Sequence, residues 1–184
     1  MARLGNVHSG NGFSLLETLI ALVILMIGVL GSVELLGQAL MTTQYSQYDF
    51  IAQEKAQEAV EAIFTAKYTN QSTWGQISNF SLGNPGGLFL AGPQPLLLPG
   101  ATDGLFGTVN DVGMPPDYIL LPGPDGKLGT ADDVKMPLSN FTRTISITDV
   151  VNDPNLRQIQ VTVSYAIAGG QRTYSLTTFI SAFN

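Results

Sequence analysis

Gly12-Phe13-Ser14-Leu15-Leu16-Glu17 opens the stretch that decides the fold. From Phe13 to Val33 the chain runs twenty-one residues with a single charge, Glu17. About 20 apolar residues cross a bilayer at ~1.5 Å each, so this run is long enough to span one. A carboxylate four places into it is costly. Insertion scales put a charge at the centre of such a helix at roughly 2.5–3.5 kcal/mol, and such residues usually have a partner.

The partner can be read from the residues. A cut after Gly12 would make Phe13 a new N-terminus with a free amine. Glu17 lies one helical turn further on. Carboxylate and ammonium would then share one depth in hydrocarbon and neutralise each other, within one chain or between neighbours. Between neighbours, the pair would set the stagger of packed helices, as a buried polar residue sets register in coiled coils.

The stretch GFSLLETLIALVIL resembles the class III leader junction of type IV pilins and type II secretion pseudopilins. The resemblance implies a membrane peptidase that cuts after Gly12 and methylates the new terminal Phe13. The family's assembly glutamate maps onto Glu17. It also implies other pilins or pseudopilins and an inner-membrane assembly platform as partners. The expected location is the inner membrane, single-pass with the head in the periplasm, and later a fibre.

Residues 1–12, MARLGNVHSGNG, form the expected leader. Arg3 is its fixed positive charge, and a positive flank stays cytoplasmic. An ordinary secretory signal is cut after its apolar core. Here Gly12 precedes the core, so cleavage would leave the apolar segment on the mature chain.

Behind the leader, a long N-terminal helix is expected over 13–67, with 13–35 as transmembrane segment or fibre core. No proline interrupts it, so one rod of roughly 80 Å is predicted. Gly28, Gly31 and Gly37 either let helices approach closely or let the helix extend locally. Many major pilins carry proline at the position held here by Glu34, which separates this chain from that pattern. From Gln38 onward, Met41, Tyr45, Tyr48, Ala52, Ala56, Ala59 and Ile63 recur at helical steps, with Glu54, Glu58 and Glu61 off the stripe. Ala52–Ile63 resembles the same half-helix in minor pilins of the PilV type and pseudopilins of the GspI type.

Residues 68–140 are rich in Gly and Pro, which mark turns and irregular loops. Leu88–Leu90, Leu96–Leu98 and Tyr118–Leu121 read as short edge strands or loop plugs. Trp74 is expected to bury its ring under these loops.

An internal repeat lies within this region. Residues 103–115, DGLFGTVNDVGMP, align with 125–137, DGKLGTADDVKMP. Side-chain oxygens recur at Asp103, Thr108, Asn110 and Asp111, then at Asp125, Thr130, Asp132 and Asp133. Calcium takes six to eight oxygens, so the loops are candidate calcium sites, the second richer in carboxylates. They equally suit a pair of Asp-Gly turns with solvated carboxylates.

The last stretch, 141–184, alternates. Phe141, Arg143, Ile145 and Ile147 share one face, as do Ile159, Val161, Val163, Tyr165 and Ile167. With Thr173–Ala182 after Gly169-Gly170, the pattern predicts an antiparallel meander that covers the helix. The fold class expected is therefore α+β. It joins a long N-terminal helix, an irregular loop region and a C-terminal antiparallel β-sheet.

Composition narrows the function. The net charge is −6, which disfavours a nucleic-acid surface. There are no cysteines, which excludes disulfides and thiolate chemistry. The one histidine, His8, precedes the predicted cut, so the mature chain lacks imidazole catalysis or ligation. An enzyme is not expected. The leading expectation is a minor type IV pilin serving as a structural subunit. A type II secretion pseudopilin and a fibre-tip binding module for adhesion or DNA uptake are the alternatives. No cofactor is expected beyond possible calcium.

Overall fold

The structure is a computed structural model that describes residues 14–81, 83–100, 103–167 and 170–183. The leader 1–12 and the Gly169 end of the glycine link lie outside these residues. The protein has an α+β architecture. It comprises one long helix, a four-stranded antiparallel sheet and a two-stranded hairpin. The chain divides into two units, Met1–Gln44 and Tyr45–Asn184.

Helix α1 runs Leu15–Tyr68. Within the second unit its buried residues are Ile51, Ala52, Ala56, Ala59, Val60, Ile63, Ala66 and Lys67. This is the three-and-four spacing of one helical face, with Glu54 and Glu61 exposed opposite. The alanines are small, so the helix backbone lies close against the sheet. Lys67 is buried at the helix end because its ammonium donates to the Phe183 carbonyl at 2.5 Å.

The main sheet has four strands: β1 (Gln94–Pro95), β4 (Phe141–Val150), β5 (Asp153–Ile167) and β6 (Gly170–Ser181), in that order. Strands β2 (Tyr118–Leu121) and β3 (Val134–Pro137) form the separate hairpin. Phe141 pairs with Tyr165 and Ile147 with Ile159 along β4 and β5. The alternation then puts Phe141, Ile145, Ile159, Val161, Val163 and Tyr165 inside. Tyr48 of α1 meets Phe141 and Tyr165 edge-on, at centroid distances of 5.5 and 5.6 Å. Such aromatic contacts add to the burial that joins helix and sheet.

The loops are tied to the edge of β4. Gln94 and Pro95 pair with Arg143 and Thr142. The Asn79 amide donates to the Ile145 carbonyl at 2.7 Å, and the Ile147 N–H donates to Asn79 Oδ1 at 2.7 Å. One asparagine thus replaces a missing strand along that edge. Of the short apolar pieces, Tyr118–Leu121 is a strand, while Phe89 makes isolated bridges to Asn79 and Thr108.

Trp74 departs from its expected place. It is half-buried, and its indole N–H donates to the Pro154 carbonyl at 3.3 Å. The Arg157 guanidinium stacks 4.3 Å from the ring centre and donates to the Ile77 carbonyl at 2.8 Å. The ring leans on the β5 end of the sheet because a fixed cation there attracts its face.

Candidate functional site

The first turns of α1 form the candidate assembly site. Ser14 precedes the helix. Its hydroxyl accepts from the Leu16 N–H at 3.3 Å, and its carbonyl accepts from the Thr18 N–H at 3.1 Å. That arrangement satisfies amides left over at a helix start. Glu17 sits in the first turn, where the helix dipole favours a carboxylate. Gly12 and Phe13, the expected cleavage and methylation positions, lie outside the described residues.

The rest of this unit is an apolar rod. Leu15, Leu30, Leu35 and their neighbours up to Met41 are exposed all round. The helix is long and apolar enough to cross a membrane, with none of its most apolar window buried in the chain. Its hydroxyls fold back on the helix. Thr18 donates to the Leu15 carbonyl at 2.9 Å, Ser32 to Gly28 at 2.8 Å and Thr42 to Gln38 at 2.9 Å. In hydrocarbon this removes the cost of unpaired donors. Glu17 and Glu34 are then the charges left on residues 14–44. A Cβ added at Gly28, Gly31 or Gly37 would meet nothing within 4 Å, so none of the described residues uses their smallness.

The two Asp-Gly loops adopt one shared turn. Gly104 and Gly126 have φ of 63° and 68°, and Gly107 and Gly129 have 75° and 87°. These are left-handed conformations that glycine adopts without strain. Asp103 accepts from the Leu105 N–H at 3.1 Å, as Asp125 accepts from Lys127 at 2.8 Å. Asp111 accepts from the Gly107 N–H, as Asp133 accepts from Gly129 at 2.7 Å.

The copies differ in burial. Asp111 is buried, and it also accepts from the N–H groups of Gly100 at 2.8 Å and Thr108 at 3.1 Å. Burial pushes its carboxyl above the usual range, against the pull of those three amides. Leu105 and Phe106 of this copy are in the core. Their counterparts are Lys127 and Leu128, and Leu128 is 63% exposed.

In the second loop the Thr130 hydroxyl donates to Asp132 at 2.7 Å, and the Asp125 N–H donates at 3.2 Å. These hydrogen bonds hold the Asp132 carboxyl below its usual range. Asn110 in the first loop instead donates to Asp103 at 2.8 Å. Among the described residues no three His, Cys, Asp or Glu side chains gather in a metal-holding group.

A charged cluster lies under the loops. Lys55 on α1 pairs with Asp117 at 2.8 Å and with Glu58 at 2.9 Å. Burial opposes the Lys55 charge, but Asp117 and Glu58 outweigh it and raise its pKa. Arg143 is 2% exposed, and its Nη1 donates to the Lys55 carbonyl at 3.4 Å. Burial pulls its pKa down to about 10, against Glu58, Asp111 and Asp117, so it stays charged at neutral pH. No local pattern marks the Lys55–Asp117 pair, because its partners are sixty-two residues apart.

A family model described as the prokaryotic N-terminal methylation motif matches residues 9–33. No curated protein and no solved structure matches the chain. The motif covers the leader junction, Glu17 and most of the exposed apolar rod, and it belongs to a class of structural subunits that are processed and assembled in membranes.

Proposed function

We propose, from its type IV pilin-like class III prepilin leader, that the protein is a minor type IV pilin, a structural and assembly subunit of a pilus. A prepilin peptidase cuts after Gly12 and methylates Phe13. The chain waits in the inner membrane with its head in the periplasm. An assembly platform then moves it into a fibre beside other pilins. No catalytic step is assigned to it.

The observation that carries this reading is Glu17. It stands in the first turn of an exposed apolar helix, inside the methylation motif. In hydrocarbon it needs a cation, and the Phe13 ammonium is the nearest one that processing supplies. The test is the Glu17→Ala variant, expressed beside the wild type. Membrane insertion is expected to persist while incorporation into sheared fibres falls at least ~10-fold. Equal incorporation would reject the mechanism.

A type II secretion pseudopilin uses the same kind of leader. Glu34, where many major pilins carry proline, favours keeping this second reading. A deletion strain decides between them: loss of pili and twitching supports the pilin, and loss of protein secretion supports the pseudopilin.

Calcium is proposed for the second loop alone. Asp125 and Asp132 are exposed, and Asp132 stays ionised. The ion would have to draw these carboxylates and Asp133 together. Ligand binding stabilises by mass action, so calcium is expected to raise the Tm over that in chelator, and Asp132→Asn to abolish the rise. No rise in the wild type would retire this site.

A further inference from the structure

The two edges of the main sheet are built differently. At the β4 edge, Gln94 and Pro95 pair as a short strand, and Asn79 bonds to the backbone of Ile145 and Ile147. The β6 edge lacks such a cover: among the described residues no strand pairs with its far side. Natural proteins guard a bare edge with lysine, proline, a bulge or a short strand. Strand β6 uses none of these. It runs Gly170–Ser181, and residues 173–181, TYSLTTFIS, hold no charge and no proline. Its register to β5 is unbroken from Leu156↔Ser181 to Ile167↔Gly170. Every second residue therefore directs its N–H and C=O away from the sheet.

The side chains define the strand that would fit. Tyr174 and Leu176 pair with Val163 and Val161, so they face the helix, and they pack half-buried against the core. Thr173, Ser175, Thr177 and Phe179 alternate with them, exposed on the other face. An added strand would lay apolar side chains beside Tyr174 and Leu176, and hydroxyls beside Ser175 and Thr177. The edge also sets the charge. Arg172, at its start, is already paired with Asp49 at 3.3 Å and lies 5.2 Å from the Tyr45 ring centre. Beyond it the edge is neutral in a chain of net charge −6, which suits an uncharged segment.

A second copy does not match this edge. Antiparallel β6–β6 pairing would put the two Tyr45 helix ends, from which the anchors leave, at opposite ends of the pair. Parallel pairing would turn one sheet over and set Tyr174 and Leu176 of one copy beside Ser175 and Thr177 of the other.

We propose that β6 is the acceptor edge for an extended, uncharged segment of a different protein, alternating apolar and hydroxyl side chains, which adds to the sheet as a further strand. Main-chain hydrogen bonds supply the affinity and the alternate side chains the specificity. The inference rests on the anchor reading only where it sets aside an antiparallel second copy.

The test uses the full-length chain in detergent and a fluorescein-labelled peptide of alternating Val and Thr, about six residues long with lysine ends. Binding is expected by anisotropy. The same peptide N-methylated throughout, and one of Thr alone, should each bind at least ~10-fold more weakly. No binding, or equal binding of the methylated peptide, overturns the proposal. Location is read by disulfides, since the native chain has no cysteine. A cysteine-ended peptide should cross-link to Thr177→Cys well above Thr148→Cys, an exposed site on β4. Equal yields overturn the assignment to β6. A Thr177→Cys homodimer that the peptide displaces would seat a second copy there and overturn the choice of partner. Processing at Gly12 is read separately from the N-terminal mass, so failure of the leader reading and failure of the edge are distinguishable.

Discussion

The Arg143 guanidinium lies 4.5 Å from the centre of the Phe106 ring. This contact joins the buried Asp-Gly loop to strand β4. The strand's alternation puts Arg143 on the core side, so the cation is held by a ring face, the Lys55 carbonyl and nearby carboxylates. Removing it leaves Phe106 unpacked and the acids Glu58, Asp111 and Asp117 with less counter-charge. Arg143→Ala is expected to cost roughly 3–5 kcal/mol in urea unfolding. Arg143→Met, which keeps the stem, should cost less.

The repeat predicts unequal effects from equal substitutions. Asp111→Ala strands three buried amides and should cost roughly 2–3 kcal/mol. Asp133→Ala acts in an exposed turn and should stay within about 1 kcal/mol. Similar losses at both sites in chemical denaturation would contradict the division into a docked and a free copy.

The helix face and the sheet were legible because both are periodic. Ala52, Ala56, Ala59 and Ile63 mark the buried stripe, and Ile159, Val161 and Val163 mark the buried strand face. What stayed hidden depends on residues far apart in sequence. Trp74 was expected under loops, but Arg157 draws it to the sheet. Pairing of Gln94–Pro95 with β4 gives no local pattern over two residues. The repeat announced its turns through Asp and Gly, yet nothing local said that one copy would be buried. In the site, Glu17 stood out because a lone charge in an apolar run is conspicuous. Gly12 and Phe13 rest on the motif alone.

Tyr165 predicts a response to alkali. It is 1% exposed, and its hydroxyl donates to Asp49. Burial, then that hydrogen bond, push its pKa up from 10.0 to about 12. The folded head therefore holds this proton more tightly than the unfolded chain. The contribution is complete below about pH 10 and is lost as pH rises towards about 12. Tyr165→Phe should lower stability at pH 7 by about 1–3 kcal/mol and flatten this part of the decline between pH 10 and 12. An unchanged pH slope in the variant would refute the assignment.

The most direct measurement is the mass of the N-terminal peptide of the protein purified from membranes. The account predicts a chain that begins at Phe13 with a methylated amine, placed one turn before Glu17. A chain that retains residues 1–12 would contradict it, since the carboxylate would then have no cation made for it by processing.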